Sequence, residues 1–247
     1  MAQIRRRLIE FCLRIATQDA HVTFETQHDR DFWLTRGLVG PSQTVVTQGT
    51  GIDLSRFFPL RKPTGRHMTV LFAGRLLATK GLDAFLQAAT LTTHPKIAFL
   101  VAGFTESDPD AVSEAELRSH SSIRFLGAVS DMPALLAETD IVILPSRYNE
   151  GVPRILIEAA ACGCVPIATR FAGSETIIDH GRTGFFLEGD TPEKQAVEIS
   201  ELVTALADND AQRHAIGRTA SAMIRANGFS SEVVAERFLD LYRPVPG

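Results

Sequence analysis

A chain of 247 residues with 45% apolar and 22% charged side chains has the composition of an ordinary folded globular protein, long enough to bury a sizeable core without disulfides. Its 25 basic and 29 acidic side chains give a formal charge of -4, which argues against a nucleic-acid partner and leaves anion binding to local sites. No run of eighteen apolar residues occurs, so no segment reads as a membrane-spanning helix.

The first segment, MAQIRRRLIEFCLRIA, begins like a signal peptide, but Glu10 and Arg14 interrupt what would be its apolar region. Ile4, Leu8, Phe11, Cys12 and Ile15 recur at helical spacing, which predicts an amphipathic helix that docks on protein. Arg5, Arg6 and Arg7 keep a membrane-surface role open for it. Cys12, Cys162 and Cys164 lack the second pair that a zinc site needs, and read as buried thiols in a reducing cytoplasm.

A short strand at residues 21–25, a helix around 29–36 stopped by Gly37, and a strand at 44–47 come next. The glycine-rich QGTGIDLSRFFP ends at Pro59, and RKPTGRH has the composition of a linker, which puts a domain boundary at 59–67. Apolar runs then alternate with helical patterns. MTVLFAG, IAFLVAG, IRFLG, DIVILPS and VPIAT are followed by helices from about Gly81, at 113–119, near Met132, from Val152 or Pro153, and near Glu175. Such alternation predicts an α/β fold, a Rossmann-like doubly wound parallel sheet whose nearly all-apolar strands are covered on both faces. The last sixty residues read as a helical tail: 192–207, 208–226 and 231–242, the last capped by serine and carrying Val234, Phe238, Leu241 and Tyr242 as an apolar stripe. The domains expected are 1–59, 60–230 and a closing helix in 231–247.

In open parallel sheets, ligands bind outside the carboxyl ends of the strands, so the loops after the strands carry the chemistry. The loop from Gly74-Arg75 to Lys80-Gly81 places two cations beside a helix start, an anion site or a pair of solvated surface charges. In PSRYNEGVPRILIE, Pro153 suits a first helical turn, so Glu150 lies in the loop and Glu158 about 7 Å into the helix. That spacing disfavours a paired general acid and base. Glu158 stands in an almost wholly apolar helix and needs hydrogen-bond donors, from sugar hydroxyls or from backbone N–H groups. The N–H groups of Arg154 and Ile155 at the helix start favour an anion. A third loop, FAGSETIIDHGRTGFF, with Gly173, Glu175, Gly181 and Gly184, reads as tight turns. Metallohydrolase and serine hydrolase motifs are missing from the sequence.

In order, these pieces resemble the carboxyl-terminal, donor-binding domain of the GT-B-fold retaining glycosyltransferases of family four, the glycosyl transferases group 1. GTGIDLSRFFP is similar to the family's interdomain segment, GRLLATKGLDAFLQA to its G-R-L-x-x-x-K-G loop, and IVILPSRYNEGVPRILIEAAACGCVPIAT to its P-S-x-x-E-G-x-P-x-x-x-x-E signature. The forms G-x-G-I-D and E-G-V-P-R are most similar to bacterial enzymes that build capsule, O-antigen or lipid-linked oligosaccharides.

The resemblance implies a hexosyltransferase that uses a UDP- or GDP-sugar donor, no metal and no other cofactor, and a glycan or lipid-linked acceptor. It makes Arg75 and Lys80 the clamp on the donor diphosphate and Glu150 the catalytic-site contact to the sugar. Gly74, Gly151, Val152, Arg154 and Ile155 then line the donor, Glu158 holds the ribose hydroxyls, and Gly127 and Val129 line the base. A cytoplasmic location, peripheral at the inner membrane face, follows for such an enzyme. Residues 1 to about 45 match only the last helix and strand of the family's acceptor domain. The chain is therefore expected to need a separate acceptor-domain chain or another copy for transfer. The other readings are a non-enzymatic fragment that docks through its terminal helices, and a GT-B enzyme of different chemistry such as sugar-nucleotide epimerisation.

Overall fold

The computed structural model describes residues 2–60 and 66–242, so most of the expected linker, 61–65, lies outside the described residues, as do 243–247. Two parallel sheets organise the chain. The N-terminal sheet pairs β1 (Val22–Phe24) with β2 (Thr44–Val46) and carries α1 (Ala2–Ala16) and α2 (Gln27–Thr35). The larger sheet holds β3 (Met68–Arg75), β4 (Ile97–Phe104), β5 (Arg124–Gly127), β6 (Ile141–Leu144), β7 (Val165–Thr169) and β8 (Phe185–Leu187). Between these strands run α3 (Leu82–Leu91), α4 (Glu114–Ser119), α5 (Met132–Ala137), α6 (Arg154–Ala161) and α7 (Ala172–Glu175). The helices α8 (Pro192–Asp208), α9 (Asp210–Ala226) and α10 (Ser231–Tyr242) complete the chain.

All six strands are parallel, in the order β5-β4-β3-β6-β7-β8. The chain thus winds outward from β3 to β5, then crosses back to β6 on the other side of β3. The direction of winding reverses between β3 and β6, which makes the carboxyl edge there the topological switch point of the sheet.

Both faces of the sheet are buried because its strands are apolar at consecutive positions. Leu71, Val142, Leu144 and Ala168 point to one face, where Leu136 of α5, Leu156 and Ile157 of α6 and Ile224 of α9 cover them. Val70, Phe72, Ile141, Ile143 and Ile167 point to the other, under Phe85 of α3, Leu117 of α4 and Ile199 and Val203 of α8. α8 starts where the side chain of Thr191 accepts from Lys194 N, with Pro192 at its first position, where a missing N–H costs nothing.

Four expectations need correction. The strand β8 was not anticipated: it is three residues long, and its turn-rich approach gives no alternating pattern to read. α6 begins at Arg154 with Pro153 as its cap, later than the start expected at Val152 or Pro153. Cys162 and Cys164 are buried, but Cys12 is exposed. It shares α1 with Ile4, Leu8, Phe11 and Ile15, all exposed, so the apolar stripe read from the sequence faces outward. Finally, Gly173 is helical rather than a turn residue, and its lack of a side chain serves close packing.

The C-terminal helix leads back toward the first sheet. Ile52 N donates to Phe229 O at 2.9 Å and Ser231 N to Ile52 O at 2.9 Å, while Arg237 Nη1 donates to Thr47 O at 2.6 Å. Of the stripe on α10, Val234 is buried but Phe238 and Tyr242 remain exposed.

Candidate functional site

Gly74 and Arg75 end β3, and a single 3-10 turn, Ala78–Lys80, lifts the chain over the sheet edge into α3. Gly81 closes that turn at φ 79°, and a Cβ there would stand 2.1 Å from Pro145 O. No other residue both adopts this conformation cheaply and fits the gap, so glycine is what lets the loop after β3 lie directly on the loop after β6. Arg147 reinforces the contact, donating from its backbone N to Thr79 O at 2.9 Å and from Nη1 to both oxygens of Asp83 at 2.6 and 2.8 Å.

This packing brings Lys80 to Glu150. Lys80 Nζ donates to Glu150 Oε2 at 2.6 Å, with both side chains only 13% exposed, and Ser146 donates its hydroxyl to Glu150 Oε1. Lys80 also stands over the ring of Tyr148, 4.9 Å from its centroid, and Arg75 Nη2 donates to the Tyr148 hydroxyl at 3.0 Å. Tyr148 therefore links the two cations, an arrangement that keeps both on one side of the crevice. Arg75 is 45% exposed and has Glu106 at 3.7 Å as a loose counter-ion, so most of its charge faces solvent and is open to an anion.

At the start of α6, the N–H groups of Arg154 and Ile155 have no acceptor among the described residues, as the sequence led one to expect. The Val152 N–H is different: it donates to Glu25 Oε2 at 2.7 Å. Glu25 comes from the other sheet, one residue past the end of β1. A Cβ at position 151 would lie 2.0 Å from that same Oε2, and a Cβ at 173 would lie 1.6 Å from Gly151 O. Gly151 and Gly173 are thus both explained by packing: the loop is pressed between α7 and the Glu25 carboxylate.

Glu158 is buried in α6 and its Oε1 accepts from Arg154 Nε at 2.7 Å. Burial pushes its carboxyl above the ordinary carboxylate range, opposed by the Arg154 guanidinium and more distantly by Arg56. Its partner sits on the same helix, one turn away and largely exposed, so Glu158 is neutralised at the rim and not sealed inside. Gly127 turns the chain out of β5 at φ 70°, and Val129 packs half-buried against the core. No hydrogen bond or ion pair among the described residues joins either of them to Arg75, Lys80 or Glu150.

Sequence reasoning missed Ser146, Tyr148 and Glu25. Tyr148 and Ser146 lie inside a loop already singled out, and Glu25 follows a parallel strand, so the rule that sent attention to the other carboxyl ends applied to it equally. Among the described residues, no group of three or more histidine, cysteine, aspartate or glutamate side chains is placed to hold a metal ion. A cavity of about 520 Å³ between α9 and the segment after α7, lined by Glu175, Asp179, Arg182, Thr219 and Met223, contains none of the expected site residues.

The six-stranded doubly wound parallel sheet, covered by helices on both faces, is a Rossmann-like α/β fold of the kind that makes up half of a GT-B fold. The model of the family "glycosyl transferases group 1" matches residues 67–205, and the chain belongs to that family. It is 27% identical over 254 residues to the N,N'-diacetylbacillosaminyl-diphospho-undecaprenol alpha-1,3-N-acetylgalactosaminyltransferase of Campylobacter jejuni, an alignment that takes in 98% of this chain and 65% of that protein. The chain therefore spans less than two thirds of the length of this relative. In fold it is similar to Anabaena HepE, solved with UDP and glucose, at a TM-score of 0.76, 20% identity and coverage of 94% of this chain and 67% of that one. It is also similar to the C-terminal domain of a group 1 glycosyl transferase, LpcC, from Francisella tularensis, with a TM-score of 0.61, 24% identity, and coverage of 72% of this chain and 98% of that domain.

Proposed function

We propose that the chain forms the donor-binding wall of a retaining hexosyltransferase, taking a nucleoside diphosphate sugar in the crevice between β3 and β6. The observation that carries this reading is that Lys80 and Arg75, from the loop after β3, meet Glu150 and Tyr148 of the loop that leads straight into α6, whose first N–H groups, on Arg154 and Ile155, have no acceptor among the described residues. These are positive or donor groups from two separate loops, and a diphosphate is the anion large enough to use them together. Glu158 accepts from the ribose hydroxyls in exchange for its bond to Arg154, Glu150 contacts the sugar, and Gly127 and Val129 border the base. The hard step is departure of the diphosphate, and the charge that develops there is stabilised by Arg75, Lys80 and the α6 N–H groups without a metal.

The acceptor is a glycan or a lipid-linked saccharide, which the name of the Campylobacter relative supports. Transfer then takes place at the cytoplasmic face of a membrane; no described helix is long and apolar enough to cross one. Two parallel strands make a marginal sheet, and the outward apolar stripe of α1 is placed to receive further structure. A full acceptor domain, on the same polypeptide or on a separate chain, supplies that structure and is required for turnover.

Isothermal titration of the chain with UDP and with GDP tests the reading. Binding of one of them, weakened tenfold or more by Arg75→Ala and by Glu158→Ala, is expected. A folded protein that binds neither overturns it.

A further inference from the structure

Glu25 reaches the Glu150–Val152 loop from the other sheet, and nothing in the proposed donor clamp accounts for it. Its carboxylate lies on the backbone of the Glu150–Val152 loop, so close that only glycine fits at 151, and Oε2 takes the Val152 N–H at 2.7 Å. The other oxygen, Oε1, has no hydrogen-bond donor among the described residues. At neighbouring Glu150 both oxygens already have donors, Oε1 from Ser146 and Oε2 from Lys80. Of the two carboxylates at this loop, Glu25 is therefore the one with an oxygen that has no donor among the described residues.

Sugar hydroxyls are recognised by carboxylates because each hydroxyl donates one hydrogen bond, and a charged acceptor makes that bond stronger than a neutral one. Glu25 also holds its rotamer through Val152, so its second oxygen is aimed before any ligand arrives. We infer that Glu25 is a specificity residue for the donor: Oε1 accepts a hydrogen bond from a hydroxyl of the hexose carried by the nucleotide. The assignment rests on the nucleotide-sugar reading above. It gives the β1–α2 connection a direct role in selecting the sugar, while the diphosphate and ribose contacts stay with the larger sheet.

The test compares nucleotides with their sugar derivatives on the full chain. Affinities for UDP, GDP, UDP-glucose, UDP-N-acetylgalactosamine and GDP-mannose are measured for wild type, Glu25→Gln and Glu25→Ala, with circular dichroism as a check on folding. Glutamine keeps a carbonyl for Val152 N–H but puts an amide donor where Oε1 was. The expected result is an affinity for free nucleotide within about twofold of wild type in both variants, and for the preferred nucleotide sugar a loss of roughly 10- to 150-fold, the range of a bond to a charged acceptor. Equal losses for nucleotide and nucleotide sugar overturn the inference, since they mark a brace for the loop only. No loss for either overturns it as well. If wild type binds no nucleotide, the underlying reading itself fails, a result distinct from both.

Discussion

Lys80 and Glu150 lie 70 residues apart in sequence and meet as a nearly buried ion pair, Nζ to Oε2 at 2.6 Å, across the switch point of the sheet. The pair fixes the positive end of the crevice to its acidic end. In the free chain it balances the Lys80 charge and leaves Arg75 as the cation that faces solvent.

Breaking one side of that pair leaves the other charge with too little solvent. Lys80→Met is expected to destabilise the fold by about 1–3 kcal/mol, and Lys80→Met with Glu150→Gln by clearly less than the sum of the two single changes. A double-mutant cycle by urea unfolding measures the coupling; strict additivity would show that the pair is solvated and energetically idle.

Arg75 separates binding from stability. Being exposed and loosely paired, it is expected to change unfolding free energy by no more than about 0.5 kcal/mol on replacement by alanine. The same change should weaken nucleotide binding by roughly 10- to 100-fold, the scale of a lost charge-assisted contact. Tyr148→Phe, which loses the 3.0 Å bond to Arg75 but keeps the ring under Lys80, should give a smaller loss than Arg75→Ala. Titration calorimetry beside chemical denaturation distinguishes the two effects.

Glu158 makes stability depend on pH with a definite sign. Burial raises its folded-state pKa above its ordinary 4.5, so within that interval the folded protein holds a proton that the unfolded chain has released. Its contribution is fully present below the unfolded value and is lost as pH rises through the folded one. Urea unfolding of wild type and Glu158→Gln across this range should show wild type losing ground to the variant as pH increases. A pH-independent difference would place Glu158 in a far more solvated setting than α6 provides.

Gly81→Ala combines an unfavourable left-handed conformation with a Cβ 2.1 Å from the Pro145 carbonyl. The expected cost is about 2–5 kcal/mol, together with loss of nucleotide affinity, because the two loops can no longer rest on each other. Thermal unfolding and titration of the same variant check both parts. A variant of unchanged stability would mean that the loops separate without consequence.

The strands of the large sheet were readable because their residues are apolar in consecutive runs, and the helices between them because apolar positions recur every three or four residues. β8 escaped because three residues after a glycine-rich turn carry no period. Spacing around Pro153 correctly kept Glu150 and Glu158 out of one helical pair, since the first lies in the loop and the second inside α6. The family motifs singled out the loops after β3 and β6, and Arg75, Lys80 and Glu150 within them do come together through Tyr148 and the Lys80–Glu150 ion pair.

What local pattern does not encode is which loops touch. Motifs allotted Lys80 to phosphate and Glu150 to sugar as separate duties, and only the packing of Gly81 on Pro145 makes the two side chains partners. The resemblance put Gly151 beside the donor, and only the folded chain shows that the Glu25 carboxylate, more than a hundred residues earlier, packs against it. A residue's type and neighbours set its capacity for charge and hydrogen bonding. Its partner depends on long-range sheet topology, which brings the residue just past β1 onto the loop after β6 and gives one oxygen of Glu25 a backbone donor while the other has none among the described residues.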